Sequence, residues 1–172
     1  PCPLLTVHGT DTDPAFTKDH AIRFGRILVG CDFSSDSNLA LEYGLGLAQE
    51  YQSDIYIVHV LEPPSYKDLP KSVQGARDQI GKSLHKKLKD QLEGLVPEEA
   101  YNWCKPKTRL LSGVAQEELV KFADIQDIDL VILGVRGHSL VESLFVGSTT
   151  ERVMRKASCA VMSVRPIGKS SD

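Results

Sequence analysis

Apolar residues along the chain gather in short unbroken runs rather than in strict alternation. RILVGCDF (26–33), DIYIVHVL (54–61), DLVILG (129–134) and AVMSV (160–164) are short, β-branched and nearly all apolar, and KTRLLSG (107–113) is a weaker run of the same kind. A strand apolar on both faces is one covered on both faces, the habit of parallel sheets. Between the runs the apolar period changes to that of a helix. Ser34 or Ser35 can cap a helix through DSNLALEYGLGLAQEY, with Leu41, Leu45 and Ala48 on one face. Its two glycines, Gly44 and Gly46, weaken a helix and are read as marks of close helix–sheet packing. The longest helix spans Val73 to Leu95, with Ile80, Leu84, Leu88, Leu92 and Leu95 at helical spacing and Lys82, Lys86, Lys87 and Lys89 on a solvated face. VAQEELVKFADIQ (114–126) and TTERVMRKA (149–157) are two more helices, and EPPSYKDLPKS (62–72), with three prolines, is a loop. Strand–helix alternation of this kind predicts an α/β fold, a doubly wound five-stranded parallel sheet with helices on both faces.

Composition narrows the field of functions. With 172 residues, 41% hydrophobic and 25% charged, the chain suits one domain with a proper core. A net charge of −3 gives no broad basic surface, so nucleic acid is not an expected partner. No apolar run reaches membrane-spanning length, so no membrane partner is expected. PCPLLTVHGT lacks the charged and apolar regions of a secretory signal. Cys2, Cys31, Cys104 and Cys159 form neither a CxxC pair nor a metal-ligand spacing with histidine, so free thiols and a cytoplasmic location are expected.

The stretch GVRGHSLVESLFVGSTT (134–150) carries the candidate chemistry. In an open parallel sheet, ligands sit beyond the carboxyl ends of the strands where the winding reverses. The first strand ends there in GCDFSS and the fourth runs into GVRG. Asp32 at such a strand end can hydrogen-bond a ribose hydroxyl or another polar ligand edge. Gly134 and Gly137 let main chain wrap a phosphate tail and offer N–H donors. Gly147, Ser148 and Thr149 then open a helix whose N–H groups favour an anion. The residues alone leave two readings open, a phosphate clasp, or an ordinary turn followed by an ordinary helix start.

At these positions the chain resembles the universal stress protein family. The G-x2-G-x9-G-(S/T) pattern of its ATP-binding members stands here as Gly134, Gly137, Gly147 and Ser148, and VGCDFS, IVHV, DLVILG and AVMSVRP fall where that family places them. The similarity covers roughly Phe24 to Pro166. The resemblance implies a Rossmann-like domain, of the adenine nucleotide alpha hydrolase-like type, binding ATP at the switch point of the first and fourth strands, with Mg2+ carried on the phosphates. Residue by residue it implies that Asp32 meets the ribose or adenine side, helped by Gly30 and Cys31. Val60 and Leu133 then line the adenine pocket, and Gly134, Gly137, Gly147, Ser148, Thr149 and Thr150 hold ribose and phosphates. Arg136 and His138 either add positive charge from the same loop or stand in solvent, and His59 is read as a core strand histidine. HxGH, SGGxDS and Walker A patterns are absent, which argues against adenylylating and P-loop chemistry.

The first residues depart from that pattern. PCPLLTVHG reads against SCAVMSVRP near the other end: Cys2 with Cys159, Leu4 with Val161, Leu5 with Met162, Thr6 with Ser163, Val7 with Val164. This is an internal repeat of the last strand alone. The expected organisation is an extra strand in 1–10, a polar linker in 11–23, the domain in 24–167 and a tail in 168–172. The expectation is a second half of a tandem protein. The resemblance implies pairing of last strands across a two-fold axis, hence a homodimer or a tandem partner unit through Val161–Val164. Leu4 to His8 would pair with the chain's own or a neighbour's last strand; the bland alternative is a disordered tail.

Three functions follow: an ATP-binding stress-response module whose nucleotide state alters assembly or partner binding, a slow ATPase, or a nucleotide-free interaction domain. Hydrolysis needs a base and a positioned water at the γ-phosphate. Glu142 and Glu151 lie nearby, but no motif places either, so binding is favoured over turnover.

Overall fold

The structure, a computed structural model, describes residues 2–7, 23–62, 74–135 and 147–166, with main chain alone over 74–80. Six strands, β1 (Leu4–Thr6), β2 (Arg26–Gly30), β3 (Asp54–Leu61), β4 (Lys105–Ser112), β5 (Leu130–Gly134) and β6 (Ala160–Val164), form one sheet in the order β1-β6-β5-β2-β3-β4. Strands β2 to β6 pair in parallel, and β1 joins the β6 edge antiparallel. The winding reverses between β2 and β5. Helices α1 (Ser35–Tyr51), α2 (Gln74–Glu93), α3 (Ala115–Ile125) and α4 (Ser148–Lys156) cover the sheet, and a 3-10 stretch spans Glu98–Asn102.

The unbroken apolar strands have the two-sided burial they predicted. On β2, Ile27 and Val29 face one layer and Leu28 the other; Ile55 and Ile57 on β3 oppose Tyr56 and Val58 in the same way. Leu130 and Ile132 on β5 likewise oppose Val131 and Leu133. The first set packs with Leu41, Leu45 and Ala48 of α1 and with Leu92 of α2. The second packs with Leu119 and Ala123 of α3 and Val153 of α4. Period-two alternation thus serves two cores at once.

Several boundaries move for local reasons. β2 stops at Gly30, three residues before the apolar run ends. Cys31 N–H still donates to Val58 O (2.8 Å), but Asp32 Oδ1 then accepts from Ser34 N–H (3.0 Å) and Phe33 takes φ 64°. Ser34 Oγ accepts from Ser37 N–H at 3.2 Å, the N-cap that starts α1. β4 begins at Lys105 and tolerates Pro106 because it is an edge strand. Leu84, expected on the buried face of α2, is 42% exposed, whereas Leu92 is 1% exposed. Among the described side chains of α2, those of its last turns reach the core, beside the edge strand β4. The four lysines of α2 are exposed, as expected, and Lys89 pairs with Glu93 at 3.8 Å. The 3-10 stretch, unforeseen, seats Ala100 at the rim of the core. Gly44 is a true close approach, since a Cβ there would lie 2.5 Å from Val29 Cγ2; Gly46 is not, with nothing within 4 Å.

Candidate functional site

Helices α1, α3 and α4 start beyond the carboxyl ends of β2, β4 and β5, and they differ at their first turns. A helix N-terminus exposes main-chain N–H groups that need acceptors. At α1 the Ser34 hydroxyl fills that role. At α3 the carboxylate of Glu62 does, its Oε1 accepting from Ala115 N–H at 3.1 Å, and Glu117 and Glu118 add negative charge to the same turn. At α4 the N-cap is Gly147, which has no side chain to offer. The one carboxylate in that first turn, Glu151, is paired with Arg155 at 3.0 Å. Of these three termini, α4 is the one whose first turn has no side-chain acceptor for its N–H groups.

A cleft of about 260 Å³ opens between these starts, at the reversal of winding. Of the positions expected from sequence, Gly30, Cys31, Asp32, Val60, Leu133, Gly134, Gly147, Ser148, Thr149 and Thr150 all line it. Arg136, Gly137 and His138 lie outside the described residues, as does Glu142. Gly134 turns out to be a packing glycine. A Cβ on it would stand 2.7 Å from the carbonyl carbon and Cβ of Asp36 and 2.9 Å from Ser37 N, so α1 and β5 can meet here only without a side chain. Gly134 O accepts a 2.7 Å hydrogen bond from the Thr150 hydroxyl, and Gly147 N–H donates to Val135 O at 2.7 Å. Both bonds hold the start of α4 against the end of β5. The Thr150 hydroxyl proton is therefore occupied, and what α4 turns outward is main-chain N–H beside the exposed Ser148.

The opposite wall is apolar, with Val58, Val60, Leu119 and Leu133. Sequence reasoning missed Val58, Ala115, Leu119 and Ser37. Val58 was recoverable, being two residues before Val60 on the same face of β3; Ala115 and Leu119 sit one turn apart on α3. His59, expected in the core, is half-buried and lines the cleft, its ring 4.6 Å from that of Phe33. Its Nδ1 donates to Cys31 O at 2.7 Å, which fixes that nitrogen as the protonated one in the neutral ring. Burial pushes the Cys31 thiol up, against the lowering by Phe33 N–H and the Ser37 hydroxyl, so it lines the cleft as a neutral group rather than a nucleophile.

The residues 23–165 match the Universal stress protein family. The chain belongs to that family. Universal stress protein MJ0531 of Methanocaldococcus jannaschii is 29% identical over 143 residues, covering 83% of this chain and 82% of its own. Universal stress protein UspA from Lactobacillus plantarum shares the fold with a TM-score of 0.74 at 23% identity, over 84% of this chain and all of its own. A universal stress protein solved in complex with cAMP aligns with a TM-score of 0.60 at 19% identity, over 84% of this chain and 98% of its own. Among the described residues no helix is long and apolar enough to cross a membrane, and no group of three or more His, Cys, Asp or Glu is placed to hold a metal.

Proposed function

We propose that this universal stress protein binds an adenine nucleotide, ATP with Mg2+ carried on its phosphates, and acts as a nucleotide-dependent regulatory module. The observation that carries the reading is the contrast between helix starts: α1 and α3 are capped from within, whereas α4 begins at Gly147 and faces the cleft. An anion placed there gains main-chain donors and the positive end of the helix dipole. The apolar wall of Val58, Val60, Leu119 and Leu133 suits a flat base, and Asp32 and the Cys31 main chain flank the span between base and phosphate. The relative solved with cAMP supports a base-and-phosphate ligand in this fold. Arg136, Gly137 and His138 belong to the same reading by their place in the sequence motif.

Ser148→Asp tests the reading without disturbing the fold. A carboxylate at the first position of a helix is tolerated or favourable, but here it fills the proposed phosphate seat. Calorimetric titration with Mg-ATP is expected to show micromolar binding in the wild type and none in Ser148→Asp, with an unchanged or slightly raised Tm. No binding by the wild type, or equal binding by the variant, would overturn the proposal.

A further inference from the structure

β4 closes the sheet at the edge opposite β1, and no strand among the described residues pairs with its outer side. Gly113 N–H donates to Leu61 O at 3.1 Å, so position 113 faces β3. Along a parallel pair, alternate residues bond to the same neighbour. Positions 111 and 109 therefore address β3 as well, which leaves the N–H and C=O groups of Thr108, Leu110 and Ser112 turned outward. Pro106 stands on the same outward row and has no N–H to leave unpaired.

That row opens into a second cavity. About 240 Å³ in volume, it is lined by Thr108, Arg109 and Leu110 of β4 and by His85, Lys89 and Leu92 of α2. Its rim is cationic and its floor apolar. Lys105 and Arg109 are exposed and have no carboxylate partner among the described residues. The Arg109 guanidinium folds back on the edge instead, Nη1 donating to Thr108 O at 2.8 Å. Lys107 differs, held by Asp54 at 2.8 Å. Lys89 meets Glu93 at 3.8 Å with both side chains largely in solvent, a pair worth little. On a chain of net charge −3, this edge is a local reversal of sign.

We infer that the β4 edge is a docking site for an acidic extended segment of a partner protein. Such a segment adds a further strand. Its main chain pairs with the outward row, and its carboxylates meet Arg109 and Lys105 along the edge and His85 and Lys89 across the cavity. Charge decides the occupant. A second copy of β4 would set Lys and Arg against Lys and Arg, which destabilises a strand pair. Proline and exposed charge at an edge also turn neutral strands away. An acidic strand is the one that gains from this rim. A row of free main-chain donors and acceptors favours peptide over nucleic acid, which brings phosphates but no strand ladder.

Fluorescence anisotropy of the full chain reads the site with a labelled heptapeptide alternating glutamate and valine, beside the same peptide with lysine for glutamate. The glutamate peptide is expected to bind saturably, and more weakly as salt rises; the lysine peptide is expected not to bind. Arg109→Glu should weaken the glutamate peptide about tenfold or more. Thr108→Pro reads the strand pairing itself. It removes one outward N–H, keeps the ladder to β3 and changes no charge, and should weaken binding about fivefold or more. Urea midpoints show whether both variants fold. If Thr108→Pro does not, the question is put to the ligand: glutamate peptides N-methylated at alternate residues, one for each edge, keep their charge, and at least one of the two should lose affinity to the same extent. No binding by the wild type, or equal binding of the lysine peptide, would overturn the proposal. Binding lost in Arg109→Glu but kept by folded Thr108→Pro, or by both N-methylated peptides, would overturn strand docking in favour of a bare charge patch. Tighter binding of a single-stranded oligonucleotide of equal charge would overturn the choice of a protein partner.

Discussion

Placing a methyl group at Gly134 should wedge apart the two elements that frame the cleft. The added Cβ of Gly134→Ala would lie 2.7 Å from two carbons of Asp36 and 2.9 Å from Ser37 N. Carbon atoms rest at about 3.5–4.0 Å, so the first turn of α1 or the end of β5 must retreat by most of an ångström. Two of the three contacts are main-chain atoms in a capped helix turn, which cannot rotate out of the way as a side-chain tip would. Overpacking of this kind costs about 1–3 kcal/mol. Restricting the unfolded chain by Gly→Ala returns about 0.4–1 kcal/mol. The net expectation is a loss of about 1–2 kcal/mol, a fall in Tm of about 2–8 °C for a chain of this size. Urea unfolding should show a lower midpoint at constant slope, and the affinity for Mg-ATP should fall with it, because Gly134 and Ser37 both line the cleft. An unchanged or raised midpoint would refute the tight contact on which the estimate rests.

Gly46→Ala is expected to behave in the opposite sense. Its Cβ meets nothing within 4 Å, so the gain in helix propensity, about 0.5–1 kcal/mol, is unopposed and should raise the urea midpoint. The pH dependence of stability should be steep on the alkaline side. Burial raises the Cys159 thiol from 9.0 to about 11, and burial also raises Cys31 and Cys104. Folded thiols that keep their protons longer than unfolded ones contribute full stability below pH 9, and that stability is lost as pH climbs toward 11. Urea midpoints compared on the two sides of pH 9 should fall with pH, and less so in Cys159→Ala.

Much of this architecture was legible in the chain because burial on both faces leaves a simple mark. The runs at 54–61 and 160–164 coincide with β3 and β6 to the residue. Boundaries failed where side-chain hydrogen bonds outweighed hydrophobicity: Cys31 to Phe33 continue an apolar run, yet Asp32 and Ser34 bend them into a helix start. Leu84 failed for a different reason. Helical spacing reports which residues share a face, and says nothing of whether the sheet extends beneath them. At the cleft, the glycines marked the place, but sequence did not separate Gly134, which packs against α1, from Gly147, which caps α4. Glu62 also went unnoticed, since its role depends on β3 ending beside α3, a fact of topology rather than of local pattern.

Glu62 sets a limit on what this architecture would have to change to serve another ligand. Its carboxylate holds the start of α3 shut while standing outside the core, exposed, at the end of β3. Exchange for a neutral residue would free the Ala115 N–H and take one of three negative charges from that helix start, Glu117 and Glu118 being the other two, while leaving every strand and core contact untouched. In the evolution of such folds, selectivity for charge can therefore drift one surface substitution at a time, with the folding energy screened from the search.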